Sequence, residues 1–80
     1  MKRTSQASDK NVTGERIRKA RLRSKPSMSQ NDLSGKLAVW GILLDQTAIS
    51  RIEAHERYVM DYELAAIAKC LRVSVSSLYG

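Results

Sequence analysis

The stretch SQNDLSGKLAVWGILLDQTAISRI, residues 29–52, decides the fold. Ser29 is a good helix N-cap, and Asp32 stands three residues on, a variant of the capping box. Leu33, Leu37 and Trp40 follow at i, i+4 and i+7, which marks one buried helical face. Trp40 is therefore read as core, with an interface anchor as the alternative. Gly35 costs about 1 kcal/mol inside a helix relative to alanine, and a close helix approach would account for it. Gly41 is a natural C-terminal stop. Asp45 caps a second helix over residues 46–56, on which Ile49 and Ile52 point inward and polar side chains occupy the start. Two readings of the link stay open. The helix that opens after Ser29 (helix 2 in chain order, with residues 46–56 as helix 3 and 61–72 as helix 4) runs more than a turn longer because Trp40 continues its stripe, or AVWGILLD forms an extended loop.

Working outward, the first helix is expected from Thr13, its cap, to Ser24. Ile17 and Ala20 share one face, and Pro26 disfavours helix at Lys25. Residues 1–11 are polar, without periodicity, and read as a flexible basic arm; residues 12–80 form the domain. Beyond a loop at Arg57–Met60, DYELAAIAKCLR (61–72) places Leu64, Ile67, Ala68 and Leu71 on one stripe. Ser74 then caps a short fifth helix, with Val75, Leu78 and Tyr79 facing in. The expected class is all-α, a compact bundle of five short helices.

Eighty residues allow one domain with one thin core, not a core plus an enclosed catalytic cavity. A single cysteine, Cys70, forms no internal disulfide and no zinc site by itself, and favours a cytoplasmic setting. It reads as a small core residue. No apolar run is long enough to span a membrane, and the basic N-terminus is not followed by the apolar stretch of a secretory signal. Charge is one-sided. Residues 1–25 hold nine basic and two acidic side chains, and residues 26–80 hold five and six. Such a field attracts polyanions, nucleic acid before anionic membrane; the plainer reading is a solvated tail. One Trp, three Tyr and no Phe offer little surface for stacking single-stranded bases. His55, the only histidine, reads as a solvated residue at a helix end. No metal, acid/base or nucleophile constellation is evident, so neither a cofactor nor an enzyme is expected.

A capped helix, a glycine-containing turn and a second helix with a polar start suit the DNA major groove, which admits one helix. Here the sequence resembles the lambda-repressor/Cro-like (XRE) helix-turn-helix family. The resemblance rests on GERIRKAR (14–21), SQNDLSGKL (29–37), TAISRIE (47–53) and DYELAAIAKCLRVSVSSL (61–78). It implies a five-helix bundle and a bacterial or phage regulator that usually binds double-stranded DNA as a homodimer; the expected action is that of a repressor. It implies base reading by Gln46, Thr47, Ser50 and Arg51. Phosphate contacts fall to Gln30 with its neighbour Ser29, and to Arg57 and Tyr58 in the following loop. Chemistry agrees: Gln46 suits adenine, Thr47 a thymine methyl, and Arg51 guanine or a phosphate.

Three departures from the family pattern stand out. The link from Leu37 to Ile49 is about five residues longer than the commonest form. His55 stands where Gly often ends helix 3, a left-handed position that histidine tolerates better than most residues. Met60 replaces the usual capping Thr of helix 4, so Asp61 caps or the cap is lost. Helix 5 with Tyr79–Gly80 is the expected dimer contact, and no small-molecule effector is expected. The alternative function is a protein-interaction module, an antitoxin or accessory subunit, contacting its partner through Trp40 and Ile42-Leu43-Leu44.

Overall fold

The computed structural model describes the backbone of residues 5–79 and the side chains of residues 13–79. Residues 1–4 of the expected arm, and Gly80 of the expected dimer contact, lie outside the described residues. Five helices follow in order: α1 (Ser5–Arg23), α2 (Gln30–Val39), α3 (Gln46–Glu53), α4 (Asp61–Leu71) and α5 (Val75–Leu78). No strand occurs among the described residues.

The helix starts obey the capping chemistry. Ser29 Oγ accepts from Asp32 N–H at 2.9 Å, and Asp32 Oδ2 accepts from Ser29 N–H at 3.0 Å, a full reciprocal box. Asp45 Oδ1 accepts from Ala48 N–H at 2.8 Å, and Ser74 Oγ accepts from Ser77 N–H at 3.2 Å. Two starts differ from expectation. Helix α1 takes in residues 5–11, because SQASDKN carries no Gly or Pro to stop it. Thr13 is thus a buried interior residue and not a cap. At α4 the N-cap is Met60, which has no capping oxygen; Asp61 is the first helical residue. Glu63 Oε1 supplies half of the box by accepting from Met60 N–H at 2.9 Å.

The helix ends share one device. In α2, Ile42 N–H donates to Leu37 O and Gly41 N–H to Ala38 O, both at 3.0 Å, with Gly41 at φ 80°. This is a Schellman motif, in which one left-handed residue lets the chain turn back on the last carbonyls. The same pair of bonds closes α3 around His55 (φ 69°) and α4 around Arg72 (φ 59°). Helix α3 therefore stops at Glu53, three residues before the expected end at Glu56. It also settles the link: α2 ends at Val39, and residues 40–45 are loop.

The core is Ile17, Leu33, Leu37, Leu44, Ile49, Ile52, Leu64, Ile67, Leu71 and Leu78, with Ala66 and Ala68. Trp40 is not part of it. Because α2 ends one residue earlier, Trp40 turns out of the stripe and is 56% exposed, its ring under the Lys69 ammonium at 4.9 Å. Leu44, from the loop that follows, is buried in the core at 3% exposure. Val75 and Tyr79 stay partly exposed, because a four-residue helix buries one face and Leu78 fills it. Cys70 is half-buried at the edge of the core, and burial pushes its thiol up in pKa.

The close helix approach expected at Gly35 lies at Gly14 instead. A Cβ on Gly35 would meet nothing within 4 Å. Gly35→Ala is therefore expected to stabilise the domain by about 1 kcal/mol, since helix propensity improves and nothing clashes. A thermal melt checks it; a lower melting temperature would mean that the bare backbone is used for packing. Gly14 is the close approach: a Cβ there would fall on the carbonyl oxygen of Ile52 in α3.

Charge is buried at two places. Arg21 Nε and Nη2 donate to Glu53 Oε2 and Oε1 at 2.8 and 2.9 Å, and Nη1 donates to Met28 O at 2.8 Å. The Glu53 hydrogen bonds hold the Arg21 guanidinium above its ordinary pKa, against the effect of burial. Arg57 forks onto Glu63 with two bonds of 3.2 Å. Burial works against the ionised Glu63, but Arg57 and the Met60 N–H outweigh it and hold the carboxyl below its ordinary value. Asp32 is lowered too, by the Ser29 N–H and hydroxyl. A depressed carboxyl stabilises the fold above its unfolded pKa and loses that stabilisation as pH falls through the folded pKa. Melting temperature should therefore decline as pH falls below about 4, the ordinary carboxylate range. Glu63→Gln should flatten that decline while lowering the plateau. An acid limb of unchanged steepness in the variant would assign the loss to other carboxylates.

Candidate nucleic-acid interface

The N-termini of α2 and α3 adjoin, and their first residues meet. Gln46 Nε2 donates to Gln30 Oε1 at 2.7 Å, and Gln30 Nε2 donates to Glu53 Oε1 at 3.1 Å. A continuous path thus runs from the buried Arg21 through Glu53 and Gln30 to Gln46 on the surface. Sequence reasoning placed Gln30 and Gln46 at the site but missed Arg21 and Glu53. The available signal was periodicity. Arg21 falls four residues after Ile17, and Glu53 four after Ile49, so each lies on its helix's inward stripe.

Along α3 the division of faces is sharp. Ile49, Ile52 and Glu53 are buried; Gln46, Thr47 and Arg51 are exposed, and Ser50 is half-buried between them. Arg51 has no hydrogen bond or salt bridge among the described residues, which leaves its guanidinium available. The exposed row on α3 therefore offers one amide, two hydroxyls and one cation, the donor and acceptor set that reads base edges.

The four expected phosphate residues fare differently. Ser29 is exposed; its oxygen is engaged in the cap, and its hydroxyl hydrogen remains to donate outward. Gln30 keeps one amide hydrogen after its two bonds. Tyr58 is exposed on the loop after α3. Arg57 sits in the same loop but is committed inward: its fork holds Glu63, and Nη1 also donates to Tyr58 O at 3.1 Å. It braces that loop against α4 and is not a free cation.

Basic charge continues on α1. Arg16, Arg18, Lys19 and Arg23 are exposed. Arg16 is tied to Ser77 O at 3.2 Å and Lys19 to Glu15 at 3.6 Å, while Arg18 and Arg23 have no such partner among the described residues. Among the described residues no group of His, Cys, Asp and Glu is placed to hold a metal ion, and no helix is long and apolar enough to cross a membrane. No protein-family model matches the chain, and no curated protein or solved structure matches it.

Proposed function

We propose that the chain is a helix-turn-helix regulator that binds double-stranded DNA in a sequence-specific way, with the outer face of α3 in the major groove. The observation that carries this reading is the meeting of Gln30 and Gln46 at adjoining helix starts, beside the exposed Thr47 and Arg51 and the half-buried Ser50. Helix starts expose unpaired N–H groups and a positive dipole end, which suit phosphate, while short polar side chains on the next helix reach base edges. The likeness of GERIRKAR, SQNDLSGKL and TAISRIE to the lambda-repressor/Cro-like family supports the same reading, with a bacterial or phage repressor acting in the cytoplasm as a homodimer. One such helix reads about one half-site, so two copies are needed for a full operator.

The test begins with selection of tight binders from random duplexes. Gln46→Ala and Arg51→Ala should each weaken binding to the selected site by about 1–3 kcal/mol and leave binding to random duplex nearly unchanged. Wild-type affinity in both variants would remove α3 as the reader. A second reading, a protein-interaction module with weak DNA contact, is favoured by the outward Trp40 and by Leu43, which is 88% exposed. Its expected surface is corrected in part, since Leu44 is core and Ile42 packs against it. Specific duplex binding at two salt concentrations would exclude the pure form of this reading.

A further inference from the structure

A second concave surface lies on a face of α2 away from Gln30. It is a groove of about 910 Å³ between the α1–α2 loop, α2 and the C-terminal end of α4. Buried Leu71 and half-buried Met28 and Cys70 give it an apolar base, and the exposed Val39 adds to its lining. Gly35 lines it as well, and a Cβ added there would meet nothing within 4 Å. Its rim is cationic. Lys25, Lys36 and Arg72 line it, all exposed and none with its side chain in a hydrogen bond or salt bridge among the described residues. Asp32 is the one acid among the lining residues; its carboxylate accepts from the Ser29 N–H and its charge also acts on Lys36, so the three cations leave the lining net positive. Beyond Val39, which is 83% exposed, Trp40 extends the apolar surface, with Lys69 at its ring.

Apolar floor and basic rim together select a ligand that is apolar on one side and anionic on the other. A duplex satisfies the rim alone, because its backbone presents phosphates and no apolar side chains to fill the floor. A neutral apolar peptide satisfies only the floor. We infer that this groove docks a short acidic amphipathic segment of a partner protein, its apolar side chains over Gly35 and Val39 and its carboxylates on Lys25, Lys36 and Arg72. Helix-in-groove recognition of this kind places anchors at i, i+3 or i+4, and i+7. The inference stands whether or not α3 reads DNA, since the two surfaces use different faces of α2.

The test uses the 80-residue chain, isotope-labelled, and a helix-favouring peptide with Leu at the anchor spacing and Glu elsewhere. The control peptide carries Lys in place of Glu. The acidic peptide should bind saturably, shift the amide signals of Gly35, Val39 and Cys70, and change Trp40 fluorescence. The Lys peptide should do none of these. Gly35→Leu fills the groove from a position facing open space, so its melt should match or exceed that of the wild type while its peptide affinity falls at least about tenfold. Lys36→Glu combined with Arg72→Glu should lower affinity by a similar factor. The inference is overturned by any of three results: no saturable binding of the acidic peptide, equal binding of the Lys peptide, or affinity that survives both sets of variants. Shifts at Gly35, Val39 and Cys70 produced by a DNA duplex instead would mark the groove as a nucleic-acid surface and overturn it as well.

Discussion

Gly14→Ala is expected to destabilise the domain by about 3 kcal/mol or more, a fall in melting temperature of about 12–24 °C. The added Cβ lands on the Ile52 carbonyl oxygen, with the Ile52 carbonyl carbon and the Glu53 Cα next nearest. All three are backbone atoms of α3, and none can rotate away as a side chain could. The clash is relieved only by moving α1 and α3 apart. That separation opens the core around Ile17, Ile49 and Ile52, so lost packing adds to the strain. The gain of about 1 kcal/mol from helix propensity is too small to offset it. The contrast with Gly35→Ala makes the experiment internally controlled: the same substitution in two helices should move the melt in opposite directions. A Gly14→Ala protein as stable as the wild type would mean that α1 and α3 do not touch there.

Glu53→Ala is expected to cost about 3–5 kcal/mol, a large share of the roughly 5–15 kcal/mol that holds a domain of this kind together. The Arg21 and Glu53 side chains are 8% and 4% exposed. Removing the carboxylate strands a guanidinium among apolar side chains, with Met28 O as its remaining acceptor. Urea denaturation gives the size of the loss. A paired change, Arg21→Met with Glu53→Leu, should recover most of it, because two apolar side chains of similar volume carry no desolvation cost. The pair would not recover everything. Gln30 would lose its acceptor and Gln46 its anchored partner, so affinity for the selected duplex should stay low in a protein whose melt is restored. Full recovery of binding along with stability would show that the buried pair has no hold on the surface glutamines.

The elements were legible where one residue type has one physical use. Ser29, Asp45 and Ser74 are capping residues in the sequence and in the structure, and Leu33, Leu37, Ile49, Ile52, Leu64, Ile67, Leu71 and Leu78 lie on the stripes that predicted them. The failures fall where geometry beyond a single helix decides. Trp40 fits the stripe of α2, but the stripe ends when Gly41 turns left-handed. The two glycines inside helices look alike on paper, and only the crossing of α1 over α3 separates Gly14 from Gly35. Arg21 and Glu53 were overlooked because charged residues are rarely buried, and the pairing that permits it spans 32 positions. Arg57 was nominated for phosphate on its place in a loop, and Glu63, six residues on, holds it instead. The exposed row on α3 was the most legible part of the site, since it is what remains of an amphipathic helix once its inner face is assigned.

The path from Glu53 to Gln46 also has a direction. A carboxylate only accepts, so Gln30 must turn its amide nitrogen inward toward Glu53 and its oxygen outward. That oxygen in turn only accepts, so Gln46 must offer it an N–H. The two glutamines are thereby barred from flipping independently, and Gln46 is left presenting one carbonyl oxygen and one N–H to whatever approaches α3. An acid sealed inside the molecule thus dictates which way a dipole points on its outside. Glu53→Gln would erase that dictation: an amide accepts through one end and donates through the other, and both glutamines would then be free to reverse.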